Sequence, residues 1–298
     1  ESTARIIGFG GAARGGKGLA LDTPIPTANG WTTMGQIQVG DIVFDADGNP
    51  CFVDGVSDVN HRPCFRLAFS DGSEIVADDV HRWVTFDSSQ RDALHKRTDE
   101  YREKRRASRP SRSVGSRSAE FVAVMAEKNA LIGASARKPA PTGKMRNTSE
   151  IYITLHVRGS RINHAIKVTE PLQLPEIMLP LQPYTLGAWL GDGHSHAGHI
   201  TGIDQEIFDR ISEDGFEVRQ LPSAEITKSI VGLARILRQM GLLKNKHIPA
   251  IYLRASIEQR MELLRGLMDT DGYVAADGGC NFDNTKEHLV DGVWELLH

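Results

Sequence analysis

Apolar residues in the stretch 256–272 recur at helical spacing, with Ile257, Met261, Leu264 and Met268 on one face. Ser256 and Gln259 form a Ser-x-x-Gln capping box ahead of them, which predicts the helix start, and Gly272 predicts a left-handed stop. Asp271 then falls in the last turn. The stretch Thr185-Leu-Gly-Ala-Trp-Leu-Gly-Asp-Gly193 repeats the pattern 79 residues upstream, introduced by Pro180 to Pro183, with Asp192 and Gly193 in the corresponding places. In both copies small residues stand four apart, Gly187 with Gly191 and Gly266 with Thr270. That spacing lets two helix backbones approach closely, a rule best documented in membranes whose steric reason is general.

The first third of the chain has a different period. Short strands are predicted at Thr32 to Met34, Asp41 to Phe44, Cys51 to Val56, Phe65 to Phe69 and Glu74 to Val76, separated by Asn29-Gly30, Asp47-Gly48 and Asp71-Gly72 turns. This is the pattern of a compact all-β domain. Beyond it the sequence predicts a charged helix from Asp92 to Arg106, a Ser/Arg-rich stretch from Ala107 to Ser118 and an amphipathic helix from Phe121 to Ile132. Lys138 to Gly143 reads as a connector, Thr148 with Glu150 as a helix start, and Ile162 to Val168 as a strand. Further helices are expected at Asp204 to Ile211, Ser223 to Met240 and Thr285 to Leu297.

The acids change the picture. A carboxylate is disfavoured at a helix C-terminus, which is already negative, so Asp192 and Asp271 suggest a cation that neutralises both. Two packed helices would bring them together, and a divalent metal would then sit between them. The two stretches resemble the paired motifs of LAGLIDADG homing endonucleases, matching in Gly-Asp-Gly and Thr-Asp-Gly, although the first copy lacks the penultimate acid. The bland alternative, two buried helices with capping glycines, explains the apolar residues but not the acids. Lys244-Asn-Lys246-His-Ile-Pro249 resembles the lysine-bearing block of intein endonucleases, which implies that Lys246 tunes the attacking water or the phosphate charge. An ordinary surface lysine fits the spacing nearly as well.

With 40 % hydrophobic and 24 % charged residues over 298 positions, the composition is that of a globular protein of two or three domains. A formal net charge of −3 argues against wholesale coating of nucleic acid. Basic residues are instead concentrated locally: Arg91 to Arg117 holds ten Lys or Arg against four acids, suited to non-specific phosphate contact or to a solvated linker. Cys51, Cys64 and Cys280 have no metal-like spacing and are too few for a disulfide scaffold, which fits a reducing cytoplasm. No apolar run approaches a membrane span and no signal-peptide pattern opens the chain. His194-x-His196-x-x-His199 has the look of a zinc array, but no second ligand cluster accompanies it, and the LAGLIDADG resemblance implies a strand facing DNA at that place.

At the N-terminus, Ala4 to Phe9 predicts a strand, and Gly11 to Lys17 has Walker A spacing, with Gly11, Gly16 and Lys17 as the phosphate-binding positions. The motif then breaks, because Gly18 replaces the Mg²⁺-binding Ser or Thr and Pro24 and Pro26 interrupt the helix that should follow. From Gly18 to Phe44 the sequence resembles the N-terminal splicing block of inteins, and from Asp71 to Thr85 their histidine-bearing block. An intein inserted after Lys17 accounts for the halved P-loop, and the arrangement is reminiscent of phage terminase large subunits. The resemblance implies a Hint fold in which His81 protonates the leaving amide nitrogen and Asp78 orients the scissile peptide. Position 18 should carry the nucleophile, and glycine there departs from the family pattern. The C-terminal His-Asn block is also missing, so the chain is expected not to splice by itself.

Together these readings describe a multidomain protein, with an all-β Hint-like splicing domain and an α+β LAGLIDADG endonuclease domain. Residues 1–17 are expected to be host remnant, 18–87 the N-terminal part of the splicing domain, 88–178 a basic linker or DNA-contacting insertion, and 179–298 the endonuclease with its second half incomplete. The implied partners are double-stranded DNA, Mg²⁺ at Asp192 and Asp271, and the host protein in cis. A monomer in the cytoplasm of a bacterium or phage-infected cell is the expected setting. An inert DNA-binding fragment and a P-loop ATPase fragment are the alternatives.

Overall fold

The computed structural model describes residues 3–7, 9–11, 18–98, 101–104, 139–157, 159–222, 224–276 and 278–297. It is a mixed α/β structure with several small sheets, which divides into two compact units. The first comprises Glu1–Phe9, Gly15–Leu21 and Ser57–Val168, and the second Gly10–Arg14, Asp22–Val56 and Thr169–His298.

In the first unit, strands Thr3–Ile7, Leu19–Ala20, Glu74–Asp78 and Asn60–Ala68 close into a small antiparallel barrel. The strand Arg82–Phe86 pairs on one side with Lys144–Asn147 and on the other with Ala165–Ile166. The predicted strand from Ile162 to Val168 is therefore broken in two, at Arg161–Ile162 and Ala165–Ile166. Asn163 causes the break: its N–H donates to the Leu155 carbonyl, its Nδ2 to the Thr154 carbonyl, and its Oδ1 accepts from the Ser88 N–H. The charged helix begins earlier than predicted, at Ser88–His95, because Asp87 and Gln90 form a capping box. Of the rest of that predicted helix, residues 101–104 are helical, and the predicted helix from Phe121 to Ile132 lies outside the described residues.

The second unit holds strands Pro24–Thr27, Gly30–Thr33, Ile42–Phe44 and Pro50–Val56 together with the C-terminal half of the chain. Gly30 and Gly48 take positive φ in the turns the sequence predicts. The core of this unit is a helix pair. The first motif helix, Pro183–Asp192, is buried from Pro183 to Leu190, and the second, Ile257–Asp271, starts at the Ser256/Gln259 capping box. A Cβ on Gly187 would lie 2.3 Å from the Leu263 carbonyl oxygen, and one on Gly266 would lie 2.2 Å from that of Tyr184. The backbones are in van der Waals contact, and only glycine fits at either crossing point.

Two expectations are corrected here. Gly272 is extended (φ −101°), as is Gly193 (φ −76°), so neither is a left-handed stop. A Cβ on Gly272 would instead lie 2.6 Å from the Met268 carbonyl oxygen, and one on Gly193 2.3 Å from that of Trp189, so glycine is there for want of space. Ser223 to Met240 is not one helix. Ala224–Ile230 is the central strand of an antiparallel sheet between His199–Thr201 and Val218–Leu221, and Leu233–Gln239 is a separate helix. β-Branched Ile226, Thr227 and Ile230 favour the strand, and Gly232 at φ +84° makes the corner.

Overpacking at the crossing should be costly. Gly266→Val is expected to lower the unfolding free energy by at least about 2 kcal/mol, measured by urea denaturation. Gly55→Ala, where a Cβ meets nothing within 4 Å, should stay within about 0.5 kcal/mol of the parent.

Candidate functional sites

The first candidate site lies in the first unit. Gly18 has φ +98°, and its carbonyl accepts a 2.8 Å hydrogen bond from the Asp78 N–H. A Cβ at position 18 would fall 2.1 Å from Asp78 Oδ2, so the carboxylate fills the space that a side chain there would require. Asp78 is buried; its Oδ1 accepts from the Val80 N–H at 3.1 Å, and Arg62 Nε stands 3.5 Å from Oδ2. Burial pushes its pKa above the ordinary value, against the pull of the His81 N–H and Arg62. His81 is buried after the turn, with its ring 4.4 Å from that of Trp83. The structure thus brings Gly18 and Asp78 into contact, with His81 one turn away. Of the P-loop positions, Gly11 ends the strand Phe9–Gly11, while Gly16 and Lys17 lie outside the described residues.

The second candidate site is at the C-terminal end of the helix pair. Asp192 and Asp271 are the last residues of their helices, and a Cβ on Gly191 would lie 3.4 Å from Asp271 Cγ. Burial, and then the Asp271 charge, push the Asp192 pKa up, partly offset by Lys246. Lys246 is buried, and its ammonium donates to the carbonyls of Leu190 at 3.0 Å and Gly191 at 2.9 Å, capping the first motif helix. Burial foremost, and Lys286 next, bring its pKa down to about 8, while Asp271 and Asp192 act the other way.

Sequence reasoning missed Asn284, whose Nδ2 donates to Asp271 Oδ2 at 2.6 Å while its Oδ1 accepts from the Lys286 N–H. Nothing in the sequence marks it, because the hairpin Gly272–Val274 with Cys280–Phe282 is what returns it to the helix end. Hard oxygens from two carboxylates suit Mg²⁺, which takes one or two from protein and completes its shell with water and phosphate. Among the described residues no group of three or more His, Cys, Asp or Glu could hold a metal, the three histidines included. His194 instead pairs with Thr201 Oγ1 at 3.0 Å, with the His199 ring 5.7 Å away.

No protein-family model matches the chain. It is 40 % identical over 286 residues to a replicative DNA helicase DnaB of Mycobacterium intracellulare, covering 95 % of this chain and 42 % of that protein. It is 51 % identical over 71 residues to the DnaB of Mycobacterium leprae, covering 24 % of this chain and 12 % of that protein. The chain thus spans less than half the length of either relative. Among solved structures, those of the MchDnaB-1 intein and of the Msm DnaB1 intein splicing domain bound with zinc each share 54 % identity with it. Each covers 22 % of this chain, with 52 % and 54 % of their own chains matched and a TM-score of 0.22 in both cases. The terminase expectation is overturned, since the relatives are DnaB helicases. A half P-loop is a phosphate cradle common to many ATPases, so seventeen residues could not tell the two hosts apart. Among the described residues no helix is long and apolar enough to cross a membrane.

The Asp78 environment carries a pH signature. Its folded pKa lies above the ordinary 3.8, so its contribution to stability is full below that value and is lost as the pH rises through the folded pKa. Asp78→Asn is expected to flatten the pH dependence of the unfolding free energy above pH 3.8, as measured by denaturant titration at successive pH values. An unchanged slope would contradict the burial penalty.

Proposed function

We propose that the chain is an intein-like splicing element interrupting the P-loop of a DnaB-type helicase and carrying a LAGLIDADG-type endonuclease that cuts duplex DNA at the uninterrupted host gene. The observation that carries the nuclease reading is the glycine seam, which ends two helices on Asp192 and Asp271 side by side. Carboxylates brought together by the fold and raised in pKa by burial and a like charge are candidates for a functional site. When bound there, Mg²⁺ would supply Lewis-acid neutralisation of the phosphate charge. The chain's own residues hold that arrangement: the seam fixes the carboxylates, Lys246 braces the end of the first motif helix, and Asn284 fixes one oxygen of Asp271. Duplex DNA and the host protein in cis are the partners of this reading, and the working unit is a monomer in the bacterial cytoplasm.

On the splicing side, transfer of the residue-17 acyl group needs a thiol or hydroxyl at position 18, whose attack on the carbonyl breaks the C–N bond while the amide nitrogen gains a proton. Gly18 offers neither, so this sequence does not perform the transfer. His81 would hold the proton for the nitrogen, and Asp78, bound through its N–H to the Gly18 carbonyl, would hold the peptide.

A plasmid carrying a DnaB gene with an uninterrupted P-loop is the substrate to test. Mg²⁺-dependent nicking is expected, reduced at least about a hundredfold by Asp192→Asn or Asp271→Asn. Nicking unaffected by both substitutions, or none by the parent chain, would overturn the nuclease reading.

A further inference from the structure

The histidine turn of the first unit is gripped by a segment that joins it from 65 residues away. Strand Arg82–Phe86 pairs with Lys144–Asn147 in a register that sets Arg82 opposite Asn147 and Trp83 opposite Arg146. Asn147 then caps a short helix in a reciprocal box with Glu150. This places the first helical residues over the turn: the Thr148 N–H donates to the His81 carbonyl at 3.0 Å, and the Ser149 N–H to the Asp79 carbonyl at 3.1 Å. The Thr148 hydroxyl accepts from Trp83 Nε1 at 3.0 Å and lies 3.4 Å from the His81 carbonyl oxygen. The indole so held lies against the imidazole, with ring centroids 4.4 Å apart and planes tilted by 53°. Thr148 is 2 % exposed.

We infer that Thr148 is a positioning residue for His81, setting the imidazole through the Trp83 indole that its hydroxyl holds. The role rests on the splicing reading given above, in which His81 carries the proton. The backbone carbonyl of residue 81 does not need the hydroxyl, because the N–H of Thr148 already satisfies it. What the hydroxyl adds is a fixed indole, which limits the rotamers open to the imidazole packed against it. Angular control of this kind matters for proton transfer, where small misplacements cost large factors in rate. The Arg82–Phe86 pairing also makes residues 144–148, which lie within the span 88–178, part of the histidine site.

Two readouts test this in the full chain. By NMR, Thr148→Val is expected to speed Trp83 indole N–H exchange about five- to tenfold, the factor of one lost hydrogen bond, and to move the His81 ring protons out of the indole ring current. Thr148→Ser should restore both. In a Gly18→Cys background, where Asp78 must yield room for the new side chain, thiol-induced cleavage after Lys17 should fall at least about tenfold with Thr148→Val and recover with Thr148→Ser. Unchanged His81 ring shifts in Thr148→Val would overturn the positioning role. Absence of thiol cleavage in Gly18→Cys with Thr148 intact would overturn the splicing reading instead, while the ring shifts still decide the positioning of His81.

Discussion

The contact of two helix backbones at Gly187 and Gly266 is the constraint on which the second unit depends. Either glycine with a Cβ would push that atom to within 2.4 Å of a main-chain oxygen of the opposite helix, where no side-chain rotation can relieve it. The approach sets everything at the helix ends. Thr270 sits where a side chain on residue 191 would go, Asp271 stands against Gly191 beside Asp192, and the Lys246 ammonium holds the last carbonyls of the first motif helix. Burial and the neighbouring charge of Asp271 both raise the Asp192 pKa, which is the feature the nuclease proposal builds on.

The first unit uses main-chain hydrogen bonds for the same purpose. The Gly18 carbonyl binds the Asp78 N–H, the His81 carbonyl binds the Thr148 N–H, and the strands on either side register these pairs. Residues close to the N-terminus, residues near 80 and residues near 148 are thereby assembled around one turn. The side chains of Asp78 and His81 owe their burial to this framework, and the Asp78 carboxylate occupies the space opened by glycine at position 18.

Much of this was legible in the chain itself. The capping box at Ser256, the small residues at 187, 191, 266 and 270, and the Asn-Gly and Asp-Gly turns are local signals, and local physics decides them. Where tertiary contacts decide, the reading failed. Residues 224–230 have enough helix formers to suggest one helix, yet their β-branched members pair between two strands. The glycines after each motif acid looked like left-handed caps, but they are extended and exclude a Cβ for lack of room. Asn284 and Thr148 gained their roles only through long-range return of the chain, which no spacing encodes. The host was misread for another reason: a phosphate-cradling loop carries the chemistry of ATPases at large, whereas similarity over 95 % of the chain distinguishes DnaB from terminase.

The most direct measurement of the shared carboxylate field is a double-mutant cycle in unfolding free energy over Asp192→Asn, Asp271→Asn and the pair together, with divalent cations removed by chelation. If the seam holds the two acids in one field, either single substitution relieves the repulsion and the second adds less, giving a coupling of at least about 0.5 kcal/mol. Additive effects, within about 0.3 kcal/mol, would show two acids that do not sense one another and would contradict the account.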